Sequence, residues 1–456
     1  MKTATIVGAG LVGSLWAVYL SKAGYQVTIV ERRDDPHTVK KSAGRSINLA
    51  LSARGWKAFK TVGIDDTIRE FAIPMYGRTM HDEDSNLSYQ PYGQQGQAIY
   101  SVSRRGINCK LMDAAKDSGN VSIQFNQRCA DADLESGIVY LEDTHSGARS
   151  ELRSDVVFAT DGAFSAVRYN AMQKLDRFNY SQQYIEDGYR EILLPANDDG
   201  SYKLEKNSLH IWPRGRYMLI ALPNEDGSFT CTLFMPHEDH EFAFDKLNTC
   251  QQVEQFFESK FPDFYQLIPE IGEVWESHPL SSLAIIRCYP WVHGKTVLMG
   301  DAAHATVPFY GQGMNSGFED CSVMWDLMQQ HGDDWPTILE SFQQQRKPEG
   351  DAVQQLSLDN YYVMRDFVAD PEFLLQKKFE LRIQQLYPEQ YMPLYSQVSF
   401  SHTPYSVALE KGKQQDAQIK SIMQQHDLET LFADKKIDNL IHELFGKQVS
   451  QTAEYD

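Results

Sequence analysis

The sequence predicts an α/β fold: a Rossmann-like nucleotide-binding domain, a mixed β-sheet domain and a C-terminal helical region. Three observations predict it. A glycine turn, Gly8-Ala9-Gly10-Leu11-Val12-Gly13, stands between an apolar β-rich run over residues 3–7 and a helical pattern over 11–23. Residues 184–234 carry strand-type alternation, and after Gly313 nearly every segment has helical periodicity.

Taken in order, residues 27–30 form a second strand ending at Glu31, which completes a βαβ unit, and Gly24 suits the end of its helix. Residues 46–62 read as an Ala/Leu-rich helix closed by Gly63. Short strands follow at 76–81, 87–92 and 98–101, then a helix at 103–118 and strands at 121–126, 138–143 and 156–160. Further strands fall at 209–212, 217–222 and 229–234, a helix at 253–261 and a buried strand at 296–299. Helices are expected at 314–330, 335–345, 350–367, 371–386 and 414–444, and the last ten residues read as an unstructured tail. The nucleotide-binding domain is expected to be discontinuous, over 1–71, 102–180 and 285–330. The sheet domain takes 72–101 and 181–284, and the helical region 331–456.

Composition narrows the function. With 62 acidic and 43 basic residues, a formal net charge of −19, the chain is unsuited to nucleic acid or an anionic membrane, although a local basic pocket remains compatible with an anionic ligand. The six cysteines are scattered, with no CxxC and no Cys/His spacing that would hold a metal. The first strand begins within three or four residues of the start, and no apolar run approaches the roughly 18 residues of a membrane span. No membrane anchor is expected, and a cytoplasmic protein with reduced thiols is.

Gly8, Gly10 and Gly13 have the spacing and the strand-to-helix context of a dinucleotide turn. Gly8 allows the tight turn, Gly10 the approach of a pyrophosphate, and Gly13 close helix–sheet packing. Glu31 is placed to accept hydrogen bonds from a ribose, and a carboxylate there disfavours a 2′-phosphate, which leaves FAD or NAD. Read as surface groups, Glu31 is a solvated strand end and Arg32 and Arg33 a charge pair. A second glycine-rich segment runs from Gly300 and Asp301 through His304 and Pro308 to Gly311, Gly313, Met314 and Asn315, after a strand and into a helix. Two such turns imply a long ligand held at both ends, which FAD satisfies, with the positive helix end facing the flavin ring.

With Asp161-Gly162 between them, these motifs make the chain resemble the group A flavoprotein monooxygenases, in which FAD is reduced by NADPH. Ala159 and Thr160 replace the usual Gly-Ala before the central Asp-Gly. Further segments, among them Gln90-Pro91-Tyr92-Gly93, Leu209-His210-Ile211-Trp212-Pro213 and Pro308-Phe309-Tyr310-Gly311, are similar to the kynurenine 3-monooxygenase family, and the resemblance runs to about Tyr405. It implies hydroxylation of L-kynurenine to 3-hydroxy-L-kynurenine with O2 and NADPH through a flavin C4a-hydroperoxide, in tryptophan catabolism and pyridine nucleotide biosynthesis, by a monomer or homodimer of the bacterial type without a membrane helix.

The resemblance also implies site residues. FAD contacts fall at Val12, Arg32, Arg33, Ala50, Arg104 and Cys129, besides Gly8, Gly10, Gly13, Glu31, Asp301, Met314 and Asn315. Arg78 becomes the anchor of the substrate carboxylate, assisted by Tyr92, Asn360 and Tyr395. Leu209, Met218, Ile220, Leu222 and Phe234 make one apolar wall, with Phe309 and Met364 opposite. Without the resemblance Arg78 is an ordinary strand-surface arginine, Tyr92 and Tyr395 half-buried aromatics, Asn360 a polar helix residue and the wall plain core. Tyr310 stands where family members differ. No Ser/His/Asp or metal machinery is expected, since positioning and water exclusion suffice, and His304 is expected to be structural. Candidates for contact with NADPH are Lys40, Lys41, Arg45 and Arg104. A hydroxylase of another aromatic acid, or a non-catalytic FAD protein, is the alternative; the head-group residues favour kynurenine, and no WxWxIP segment of a flavin halogenase is found.

Overall fold

The computed structural model describes residues 1–38, 48–93, 96–364 and 370–452. Its first sheet has six strands in the order Val292–His293, Thr296–Leu298, Val156–Ala159, Thr3–Val7, Gln26–Val30 and Val121–Gln124. All neighbours are parallel except the first pair. Parallel strands covered on both faces need continuous apolar runs, which is why Val156–Ala159 and Thr296–Leu298 are buried at every position. Helix Leu11–Lys22 packs Trp16 edge-on to Phe158 at 5.3 Å.

The second sheet has seven strands, ordered Ser281–Tyr289, Asn179–Leu194, Phe229–Pro236, Met218–Pro223, Ser208–Pro213, Gly77–His81 and Leu87–Pro91. One face packs Trp212, Phe229 and Phe257 beneath short helices. The other presents Met218 and Phe234 to Phe309 and Tyr361. On the helix-covered face, Asp263 accepts hydrogen bonds from Trp212 Nε1 (2.8 Å) and pairs with His81 Nδ1 (2.6 Å), whose other nitrogen meets His210 Nδ1 at 3.0 Å. Burial lowers the pKa of His210 to about 4.

Several expectations are corrected. The helix expected over 46–62 is a strand, Asn48–Leu51, followed by helix Ala53–Val62, with residues 46 and 47 outside the described range. Pairing of Asn48–Leu51 with Ile99–Ser103 overrides its helical propensity. The helices expected at 335–345 and 350–367 are one, Trp335–Tyr362, running through Pro348, and residues 365–367 are outside the described range. A proline in a helix costs about 3 kcal/mol. Packing on both sides outweighs it: Arg346 is buried in a carboxylate pair, and a Cβ at Gly350 would sit 2.9 Å from Trp291. The expected 414–444 helix is three, Tyr405–Gln425, Leu428–Ala433 and Ile437–Thr452, so helix also enters the expected tail, whose residues 453–456 are outside the described range. Strands Gln127–Asp133 and Ser281–Tyr289 are additional, and the second crosses the expected domain boundary at 285 because it pairs with Asn179–Leu194 in the second sheet.

A buried ionic network ties the sheets to the helices. Asp320, with no solvent exposure, accepts from Gly300 N–H (2.8 Å) and Arg346 Nε (2.7 Å) and pairs with His304 Nε2 (2.7 Å). Arg346 also donates to Glu319 (2.8 Å) and to Ser316 O (3.1 Å). Glu319 in turn bonds Arg54, whose guanidinium lies 3.9 Å from the Tyr405 ring centre. Burial raises the pKa of Asp320, but His304 and Arg346 outweigh it and hold the group down at about 2. A depressed carboxyl stabilises the fold above its ordinary pKa of ~3.9, and that contribution is lost as pH falls toward about 2. Asp320→Asn leaves Arg346 without this partner, so a loss of about 3–5 kcal/mol is expected by denaturant unfolding at neutral pH. Below about pH 4 the difference between the two proteins should narrow.

Candidate active site

The glycine turn folds as its spacing requires. A Cβ at Gly13 would lie 2.1 Å from Gly8 O and 2.4 Å from Thr160 Oγ1, so helix and strand approach too closely for any side chain. At Gly10 the nearest protein atom to an added Cβ is Thr160 O at 4.0 Å. Protein packing therefore explains the glycine at 13 and not at 10, where the bare backbone instead borders a cavity of about 750 Å³.

This cavity runs from the glycine turn to the apolar face of the second sheet. Gly8, Gly10, Val12 and Glu31 line one end, with Arg32, Arg33, Arg104 and Cys129. The Glu31 carboxylate accepts from Ala9 N–H (2.9 Å) and from Arg33 Nε (2.9 Å), and so braces the turn. Ala50, Asp301 and Met314 line the middle. There the helix Gly313–His331 begins without a side-chain cap, which leaves its first N–H groups for a ligand. Six arginines line the cavity (32, 33, 78, 104, 128 and 168) against three carboxylates (Glu31, Asp161 and Asp301). In a chain of net charge −19 this local excess of cations selects an anionic occupant. The glycine approach, the cations and the open helix end together fit the pyrophosphate and ring of FAD.

Gly13 and Asn315 do not line the cavity. Gly13 serves packing, as above. Asn315 is fully buried, donates to Ala50 O (2.8 Å) and Gly311 O (3.0 Å) and accepts from Ser52 N–H (2.9 Å), so its side chain ties two loops together and has no free edge for a cofactor. Of the residues considered for NADPH, Lys40, Lys41 and Arg45 are outside the described range, and Arg104 is exposed at the cavity rim.

At the other end, Arg78, Leu209, Met218, Ile220, Leu222 and Phe234 come together on the second sheet, facing Phe309 and Met364. Alternation along the strands puts these residues on one face. Phe309 meets Phe234 at 5.0 Å and Tyr361 at 4.8 Å between ring centres. Tyr395 lines the cavity, stacked between Tyr92 (5.2 Å) and Tyr310 (5.7 Å), and the Arg78 guanidinium lies 4.6 Å from its ring centre. Among the described residues no carboxylate pairs with Arg78. Burial works against its charge, but Tyr92 and Tyr395 hold its pKa above the ordinary arginine value.

Two of the expected head-group residues stand behind the wall. Tyr92 is buried against Tyr395 and does not border the cavity, and Asn360 donates to Phe309 O at 2.6 Å and so fixes the opposite wall. Arg168 was not expected at the site. It lines the cavity and donates to Ala302 O (2.7 Å) and Ala163 O (2.5 Å), which joins the Asp161-Gly162 loop to the Asp301 turn. Its place seven residues after Asp161 is the one signal of it in the sequence. Leu283 and Tyr189 also line the cavity from strands whose pairing is long-range.

Residues 1–357 match the FAD binding domain family. Over 444 residues the chain is 46% identical to the kynurenine 3-monooxygenase of Flavobacterium psychrophilum, covering 97% of this chain and 98% of that protein. It is 40% identical over 425 residues to that of Dictyostelium discoideum, covering 90% and 91%. Among solved structures, the tetrameric form of 2-methyl-3-hydroxypyridine-5-carboxylic acid oxygenase superposes with a TM-score of 0.67 at 18% identity, over 81% of this chain and 94% of that one. The p-nitrophenol 4-monooxygenase of Pseudomonas putida gives 0.65 at 17%, over 84% and 94%. These two share the fold, which bears out the expected aromatic hydroxylase architecture. The chain belongs to the kynurenine 3-monooxygenase family of FAD-dependent proteins.

Proposed function

We propose that this protein is a monooxygenase that converts L-kynurenine, O2, NADPH and a proton into 3-hydroxy-L-kynurenine, water and NADP⁺. The observation that carries the reading is Arg78, a guanidinium without a carboxylate partner among the described residues, at the edge of an apolar wall within a cavity suited to FAD. Such a site suits a ligand with a carboxylate head and an aromatic tail, and the family relatives at 40–46% identity support kynurenine as that ligand. Bound FAD supplies the redox chemistry that takes electrons from NADPH and activates O2. Gly8, Gly10, Glu31, Asp301 and Met314 would hold it.

The chain's own task is binding, orientation and exclusion of water. Arg78 and Tyr395 take the amino-acid head, Tyr92 backs Tyr395, and Asn360 acts through the Phe309 carbonyl. Phe234, Phe309 and Met218 enclose the ring and keep water from the reacting centre. The assembly is taken to be a monomer or a homodimer. All six cysteines are free, in keeping with a reducing cytoplasm. No described helix is long and apolar enough to cross a membrane.

The purified flavoprotein given NADPH and L-kynurenine should consume NADPH faster than without substrate and yield a product one oxygen heavier, read by mass spectrometry. No such product, with turnover of a different aromatic acid, assigns the cavity to that acid. Arg78→Ala should raise KM for kynurenine by about 10- to 100-fold with flavin retained, as the loss of a charge-assisted contact requires. Gly10→Val should fold, because the protein leaves room for it, yet bind FAD at least about tenfold more weakly; flavin absorbance and circular dichroism separate the two.

A further inference from the structure

We infer that Thr232 is a specificity-determining residue, which accepts a hydrogen bond from the aryl amine of the substrate and so sets which ring carbon is hydroxylated. The inference rests on the kynurenine reading above. Thr232 lies in the strand Phe229–Pro236, is 4% exposed and lines the cavity. Its hydroxyl makes no hydrogen bond to any described residue. The hydroxyl of Thr230, two residues away on the same face, is matched by Asn224 at 3.2 Å, and the next residue on that face is Phe234. Without a protein partner, and on a residue that lines the cavity, the hydroxyl is left for water or a ligand to satisfy. A ligand that displaces water from this wall must supply a partner for Thr232 or leave its hydroxyl unpaired.

Strand register places this hydroxyl at the ring end. Thr232 is opposite Ile220, Ile220 is opposite Ile211, and Ile211 is beside Met80, two residues along the strand from Arg78. Three strand spacings of ~4.8 Å put Thr232 about 14 Å across the sheet from the strand of Arg78. Tyr310 and Tyr395 stack beside Arg78, and Thr306, whose hydroxyl is also without a partner, belongs to the segment before Phe309 and not to the sheet. A substrate with its carboxylate at Arg78 lays its ketone and ring across the strands toward Thr232. In kynurenine the ketone and the ortho amine share an internal hydrogen bond, and the amine's second N–H remains free. The threonine oxygen is the acceptor placed for it, and the carbon next to that amine is the one hydroxylated.

The test compares L-kynurenine with its analogue lacking the ring amine, 2-amino-4-oxo-4-phenylbutanoate, in wild type, Thr232→Val and Thr232→Ser. Product formation gives kcat/KM for each compound, and binding followed by flavin fluorescence gives the same preference without turnover. Thr232→Val keeps size and removes the acceptor, so the preference for kynurenine should fall about tenfold, and more of the NADPH consumed should end as hydrogen peroxide. Thr232→Ser should restore the preference. Equal losses on both compounds, or an unchanged preference, would overturn the inference and leave Thr232 as packing. A wild-type protein that binds neither compound overturns the kynurenine reading itself. Flavin content and unfolding temperature of each variant identify one that has failed to fold.

Discussion

Asp320 has no contact with water, yet it receives a backbone N–H from Gly300, an imidazole from His304 and a guanidinium from Arg346. In a low-dielectric interior such a network is strong only when every member is satisfied, and it then permits one arrangement. Through Gly300 it fixes the turn that presents Asp301, through its own helix the Gly313 end, and through Arg346 the long helix behind Phe309. Arg54 extends it to the helix after Asn48–Leu51, the strand in which Ala50 lines the same cavity. The middle of the cavity, where Ala50, Asp301 and Met314 meet, thus hangs on one carboxylate.

The second sheet has one face covered by helices, an apolar core that also holds a buried polar cluster, and the other open to the cavity. Behind it, His81, His210, Trp212 and Asp263 form a hydrogen-bonded cluster, and Arg214 donates to His81 O and Asp82 O. Burial keeps His210 neutral near pH 7. That cluster clamps the strand of Arg78 to its neighbour from the face away from the cavity. A cation can then face the cavity from a strand whose far side carries the polar bonds.

The parts of this fold legible in the sequence are those set by neighbouring residues. The βαβ unit around Gly8–Gly13 and the turn after Thr296–Leu298 depend on local conformation, and both stand where their glycines put them. The strand Asn48–Leu51 exists because Ile99–Ser103 pairs with it, a partner about fifty residues away that local propensity cannot report. Pro348 would end a helix in isolation, and only Arg346 and Gly350, set in packing from other segments, carry it through. The same division runs through the site. Arg78, Leu209 and Phe234 border the cavity by strand alternation, whereas Asn315, Asn360 and Tyr92 sit one layer back, where the resemblance named the position but not the direction of the side chain. Nothing in the sequence marks Thr232, because a threonine in a strand has no motif, and its unpaired hydroxyl exists only in three dimensions.

The helix Trp335–Tyr362 touches both halves of the cavity, with Arg346 bonded to Asp320 and, fourteen residues on, Asn360 bonded to Phe309 O. At 1.5 Å per residue these holds are about 21 Å apart on one rigid rod. Inheritance follows from that geometry: the helix cannot be exchanged between relatives to alter the ring pocket without also disturbing the cofactor turn. Divergence in substrate is left to single side chains projecting from the sheet, and the helical region is free to change only on its outer surface.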